Sequence, residues 1–133
     1  EIFYYDFGKL IYISRGASGN VYRTSCKSIS NKEVAVKEIY IADYDNEKKI
    51  KMFLNELKLH SQVSHSRIIQ FYGISKDPNR GAYYLIMEYA EGGTLRQYLK
   101  TATLSWNEKV KLAIQLVEGM FYLHNKMITH CDL

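Results

Sequence analysis

The sequence predicts an α+β fold in which about five strands and one helix come first and a wholly helical segment follows. Three observations carry this expectation. The N-terminal two thirds of the 133 residues hold short runs rich in β-branched and aromatic side chains, separated by turn-forming residues. One stretch among them repeats its apolar positions at helical spacing instead. Beyond Glu91-Gly92-Gly93 every apolar pattern is helical.

Taken in order, Leu10-Ile11-Tyr12-Ile13 and Val21-Tyr22-Arg23-Thr24 read as two strands folded into a hairpin over Gly16 and Gly19. Ser30-Asn31-Lys32 is a turn, and Glu33-Val34-Ala35-Val36-Lys37-Glu38-Ile39 is the third strand. Asp45 or Asn46 can cap the helix that follows, because Ile50, Phe53, Leu54 and Leu57 fall at i, i+3, i+4 and i+7 and form one stripe for a sheet. Ile68-Ile69-Gln70-Phe71-Tyr72 and Tyr83-Tyr84-Leu85-Ile86-Met87 are two more strands, joined through the turn chemistry of Asp77-Pro78-Asn79-Arg80-Gly81. Thr94 with Gln97, and Ser105 with Glu108, match the capping box, in which a hydroxyl and the side chain three residues on satisfy each other's free N–H groups. The second box opens a strong helix with Val110, Ala113, Ile114, Val117 and Phe121 on one face and Leu112, Leu116 and Leu123 on another. A helix apolar over so much of its girth is normally buried on several sides, and the sequence offers too few partners to bury it.

Composition narrows the function classes. Hydrophobic residues make up 47% and charged residues 24%, which is globular rather than disordered. A length of 133 residues permits one sizeable core. The net charge of +4 is modest, and its local cluster, Lys48, Lys49 and Lys51, reads as a solvated helix face rather than a nucleic-acid patch. No apolar stretch approaches a membrane span, no signal peptide is visible, and Glu1 is not an initiator Met. Cys26 and Cys131 lie too far apart for a metal pair or disulfide framework, so a reducing, cytoplasmic setting is expected.

The chemistry-bearing residues are ambiguous one at a time. Gly16 and Gly19 in Ser14-Arg15-Gly16-Ala17-Ser18-Gly19-Asn20-Val21 would let backbone N–H groups approach phosphate oxygens, and a plain hairpin turn accounts for them equally well. Lys37 would suit phosphate charge at the edge of an apolar slot, or is an exposed strand lysine. Glu56, beside Leu57, would pair with Lys37 if it faced the sheet, or with Lys49, Lys51 or Lys58 on the helix surface. Asp132 in His130-Cys131-Asp132-Leu133 would accept the proton of an attacking hydroxyl, or merely caps a helix. Their joint order is what chance does not supply. A glycine turn, a lysine on the next strand, a glutamate on the next helix, two strands, a Gly-Gly break, a capped apolar helix and His-x-Asp-Leu follow one another.

In that order the chain resembles a protein kinase domain, covering the N-terminal lobe and the opening of the C-terminal lobe, roughly half of a complete domain. The resemblance implies a five-stranded antiparallel sheet with one helix over residues 1–87, a hinge over 88–93 and the start of a helical lobe over 94–133. It implies that Ser14 to Val21 lie over the ATP phosphates, with Ser14 standing where the family has its first glycine. Val21 and Ala35 would cover the adenine, Lys37 would contact the α- and β-phosphates and pair with Glu56, and Met87 would be the gatekeeper. The backbone of Glu88 and Ala90 would hydrogen-bond the adenine edge, and Asp132 would be the catalytic base. By the same alignment His60, Phe71 and His130 would stack into the spine joining the lobes, where a polar His60 is unusual and would loosen the stack. His65-Ser66-Arg67-Ile68-Ile69 matches the family's His-Pro-Asn element in part. The tyrosine-rich strands and Glu91-Gly92-Gly93-Thr94-Leu95 are most similar to the tyrosine-kinase-like branch.

Two departures shape the expectation. Cys131 stands where the family has an Arg that binds an activation-loop phosphate, which implies activity independent of such phosphorylation. The catalytic-loop Asn, the Asp-Phe-Gly metal ligand that follows it, the activation loop and the substrate platform would all come after Leu133. The expected function is therefore phosphoryl transfer from ATP with Mg²⁺ to a Ser/Thr or Tyr hydroxyl of a protein substrate. The metal ligands lie outside the chain, and the 133 residues alone are expected to be inactive. The alternative is a catalytically dead, pseudokinase-like fragment that binds nucleotide or a partner protein, the partner covering the apolar helix after Trp106.

Overall fold

The computed structural model describes residues 6–16, 19–40, 47–76 and 81–129, without the side chains of residues 40, 47–50, 52 and 56. Its strands are β1 (Ile11–Gly16), β2 (Gly19–Cys26), β3 (Lys32–Tyr40), β4 (Phe71–Lys76) and β5 (Ala82–Glu88). Its helices are α1 (Glu47–Gln62), α2 (Leu95–Thr101) and α3 (Trp106–Asn125). The five strands form one antiparallel sheet in the order β1-β2-β3-β5-β4. This is the expected α+β arrangement, with α1 inserted between β3 and β4.

Alternation along the strands gives the sheet two apolar faces. Cys26, Val34, Val36, Ala82, Tyr84 and Ile86 pack on one, joined by Phe7, Ile29 and Tyr72. Ile39, Ile74 and Leu85 pack on the other with Phe53 of α1, joined by Leu57, Phe71, Tyr83 and Met87. Burial of each such side chain contributes roughly 1.5–3 kcal/mol. The first face also encloses Glu38, 2% exposed, whose carboxylate accepts the Tyr22 hydroxyl at 2.9 Å. The turn into β3 is made by Ser30 and Asn31, both left-handed with φ of 52° and 57°. Consecutive left-handed residues match the right-handed twist of the strands they join.

Three expectations need correction. The fourth strand was expected from Ile68, but β4 starts at Phe71. Ile68 instead donates its N–H to the His65 carbonyl at 3.0 Å in a turn. That turn rests on α3: a Cβ on Gly119 would stand 3.3 Å from the Arg67 carbonyl and 3.8 Å from Ile68 Cγ1. Tertiary contact thus overrides the β propensity of Ile68-Ile69. Second, Leu54 is exposed, so the described part of the α1 stripe is carried by Phe53 and Leu57. Third, β1 continues past Ile13 to Gly16, closing the hairpin through the pair Gly16↔Gly19. The expected caps Asp45 and Asn46, and the connector from Asp77 to Arg80, lie outside the described residues.

Both capping boxes are present. Thr94 and Gln97 close the start of α2, and Ser105 and Glu108 the start of α3, with the Ser105 N–H 2.7 Å from a Glu108 carboxylate oxygen. Helix α3 joins the rest through the segment before β4. Arg67 pairs with Glu118 at 2.8 Å, the Ser64 N–H donates to the Tyr122 hydroxyl at 3.2 Å, and the His65 and Tyr122 rings stack at 4.7 Å. The helix buries Leu123 and half-buries Leu112, while the other apolar face is bare: Trp106, Val117 and Phe121 are 76%, 64% and 66% exposed. The shortage of partners expected for this helix is what the described residues show.

Candidate functional site

Register brings four of the expected site residues, Val21, Ala35, Lys37 and Met87, onto one sheet face. Residues paired across antiparallel strands point to the same side. Val21 pairs with Lys37, and Lys37 with Leu85. One row along, Ala35 pairs with Met87, and Met87 with Phe71. Leu85, Met87 and Phe71 belong to the apolar cluster that receives α1, so Val21, Ala35, Lys37 and Met87 occupy that same face in two adjacent rows. Ser14 adjoins them through its pairing with Val21.

The glycine turn closes over Lys37. A Cβ on Gly16 would stand 4.0 Å from Lys37 Cε and 3.5 Å from the Gly19 carbonyl oxygen. Gly16 therefore presents bare backbone toward the stem that carries the ammonium. Gly19 is glycine for a different reason: a Cβ there would fall 1.8 Å from the Glu38 carbonyl oxygen. Glycine at this point allows β2 to lie close against β3. Ala17 and Ser18 lie outside the described residues.

Helix α1 carries Glu56 between Phe53 and Leu57, the two side chains that pack on this face. Its position at i+3 from Phe53 shares their stripe by helical spacing, while its side chain lies outside the described part. One turn further, the His60 ring stacks on Phe71 with centroids 5.8 Å apart and planes at 29°. His130, Cys131 and Asp132 lie outside the described residues, so the remainder of the expected spine and the expected base are not placed.

After β5 the chain makes two backbone commitments. The Glu88 N–H donates to the Gln70 carbonyl at 2.8 Å, and the Glu88 carboxylate accepts the Gln70 N–H at 3.2 Å. The Ala90 carbonyl accepts the Gly93 N–H at 3.3 Å, closing a turn that needs Gly93 at φ +72°. The Glu88 N–H is thus already engaged within the chain. A hollow of about 400 Å³ lies behind this segment, lined by Arg67, Ile69, Glu88, Ala90, Leu95 and Leu116 among others. It includes none of the four residues in the two rows.

Two features escaped sequence reasoning. Asp6-Phe7-Gly8 spells the tripeptide expected only after Leu133. Here Phe7 packs into the opposite apolar face, edge-on to Tyr84, and Asp6 pairs with Lys27 at 3.1 Å, so the tripeptide is a structural strap remote from Lys37. Arg23 is the second: it pairs with Ala35 in the site's second row, and its guanidinium lies 5.6 Å from the centre of the Tyr89 ring. A basic residue in a strand carries no sequence signal of this kind. Among the described residues no three His, Cys, Asp or Glu side chains cluster as a metal site would require. No helix among them is long and apolar enough to cross a membrane.

Residues 9–133 match the family described as protein tyrosine and serine/threonine kinase. A probable serine/threonine-protein kinase of Dictyostelium discoideum is 32% identical over 131 residues, covering 96% of this chain and 14% of that protein. Mitogen-activated protein kinase kinase kinase 3 of Homo sapiens is 33% identical over 130 residues, covering 95% of this chain and 20% of its own length. Tyrosine-protein kinase SPK-1 of Girardia tigrina is 32% identical over 124 residues, covering 91% and 24%. The chain thus spans a quarter or less of each of these relatives.

Proposed function

The chain belongs to the protein tyrosine and serine/threonine kinase family, and we propose that it forms the nucleotide-binding part of an ATP-dependent protein kinase that phosphorylates a protein Ser/Thr or Tyr hydroxyl. The observation that carries the proposal is the convergence of Val21, Ala35, Lys37 and Met87 in two rows of one sheet face, with Gly16 turned toward Lys37.

Each residue has a physical task in this reading. Val21 and Ala35 supply small apolar surface for a flat base, and Met87 closes its inner end. The Glu88 carbonyl accepts, and the Ala90 N–H donates, which suits the amino group and ring nitrogen of an adenine edge. The backbone at Gly16 and Gly19 admits phosphate oxygens without side-chain obstruction. The Lys37 ammonium offsets phosphate charge, and Glu56 on α1 orients it. ATP with Mg²⁺ supplies the transferable phosphoryl group and its charge neutralisation. Asp132 takes the proton of the attacking hydroxyl.

Phosphate incorporation into a protein substrate by the full-length protein tests this reading. Asp132→Asn is expected to lower the rate at least a hundredfold, in line with the contribution of about 10²–10⁴ from a positioned base. Transfer that survives Asp132→Asn undiminished removes Asp132 from the role.

A second reading rests on α3, whose bare apolar face of Ile114, Val117 and Phe121 suits a partner protein. Under it the domain binds nucleotide or partner without transferring phosphate. Nucleotide binding with no transfer to any protein acceptor would favour that reading.

A further inference from the structure

Arg23 has no place in the roles above, yet it stands on the site face. It pairs with Ala35 in β3, which pairs with Met87 in β5, and Tyr89 follows Met87 by two residues. Its guanidinium lies 5.6 Å from the Tyr89 ring centre, within the range of cation–π attraction, and Tyr89 is half-buried. A planar, weakly hydrated guanidinium is suited to resting on an aromatic face. Glu33 stands 3.9 Å from Arg23 Nε, a loose and half-exposed pair.

The Arg23–Tyr89 contact adds a side-chain tie to the backbone ladder between β2 and β3. β1 is exposed along its whole length and bonds to β2 at the sheet edge, so the hairpin leans on β3 for support. Segments held by few buried contacts open at low cost. A contact at Arg23 holds the base of the hairpin to the segment after β5.

We propose that Arg23 is a positioning residue for nucleotide: resting on Tyr89, it clasps the base of the β1–β2 hairpin to the segment after β5 and slows the escape of an adenine nucleotide held between them. This rests on the nucleotide-binding reading above. The clasp acts after entry, so its loss raises the dissociation rate and leaves association nearly unchanged.

The test is stopped-flow displacement of N-methylanthraniloyl-ATP from the full-length protein by excess ATP. Arg23→Met is expected to speed dissociation about two- to fivefold, the range that one exposed cation–π contact supports. Tyr89→Leu speeds it similarly, Tyr89→Phe recovers the slow rate by restoring a ring, and the double variant Arg23→Met/Tyr89→Leu is no faster than either alone. Glu33→Gln leaves the rate as it is. An unchanged rate in Arg23→Met overturns the clasp while the nucleotide site stands. So do fully multiplicative effects in the double variant, or an equal acceleration in Glu33→Gln. Failure of the unsubstituted protein to bind the probe sinks the nucleotide reading itself, and the clasp with it.

Discussion

The two glycines of the hairpin turn do different work, and single substitutions separate them. Gly19 has the Glu38 carbonyl oxygen 1.8 Å from where a Cβ would stand, so Gly19→Ala forces β2 away from β3. Overpacking of this kind costs about 1–3 kcal/mol, which a denaturant titration of the nucleotide-free protein reads directly. Gly16 has no such obstruction, its nearest atoms being 3.5 and 4.0 Å from a built Cβ. Gly16→Ala is therefore expected to leave the unfolding midpoint in place and to weaken ATP binding, because the added methyl narrows the space over Lys37. Equal loss of stability in both variants would contradict the distinction. Arg23 illustrates what residue patterns conceal. Its value lies in meeting Tyr89, a contact between residues far apart in the chain, whereas the Lys37 row could be anticipated because strand alternation and motif order both pointed to it.

At the scale of elements, structure is legible in the sequence where the chain satisfies itself locally. Both capping boxes and the break at Gly93 need only neighbouring residues to form, and β3 and β5 carry their strand propensity in local runs although their pairing is long-range. The start of β4 is not legible, because Ile68 and Ile69 have strand propensity while contact of Arg67 and Ile68 with Gly119 holds that segment against α3. The α3 cap gives a pH-dependent expectation. The Ser105 hydroxyl and backbone N–H both donate to the Glu108 carboxylate and hold its pKa below the usual range. The folded value is thus lower than the unfolded one. The cap's contribution is present above the ordinary carboxylate range and is lost as pH falls through the depressed value. Far-UV circular dichroism is expected to show α3 fraying in acid, with the acid-dependent part absent in Glu108→Ala. Ser105→Ala is expected to cost roughly 0.5–2 kcal/mol at neutral pH, as other N-cap truncations do. Acid dependence that persists unchanged in Glu108→Ala assigns it to another carboxylate.

On the scale of the whole molecule, the sheet has partners on both faces, whereas among the described residues α3 is covered on one side alone. The site face is completed by α1, and the opposite face closes over Val34, Val36 and Ile86 with Phe7 as a strap. Helix α3 touches the rest through Arg67, His65 and Ser64, leaving Val117 and Phe121 bare. The sequence already shows this imbalance, since apolar side chains on two faces of one helix outnumber the partners available. It could not show that the joint would be polar and aromatic, because that depends on where the segment before β4 turns. The assignment of the two rows to an adenine nucleotide is the claim on which the function rests. Thermal unfolding of the full-length protein, titrated with ATP and Mg²⁺, tests it most directly. Ligand at about 100 times its Kd stabilises the folded state by about 2.7 kcal/mol. The expected result is a rise in Tm with ATP that Lys37→Ala largely abolishes. A Tm indifferent to ATP, or a rise that Lys37→Ala leaves intact, would contradict it.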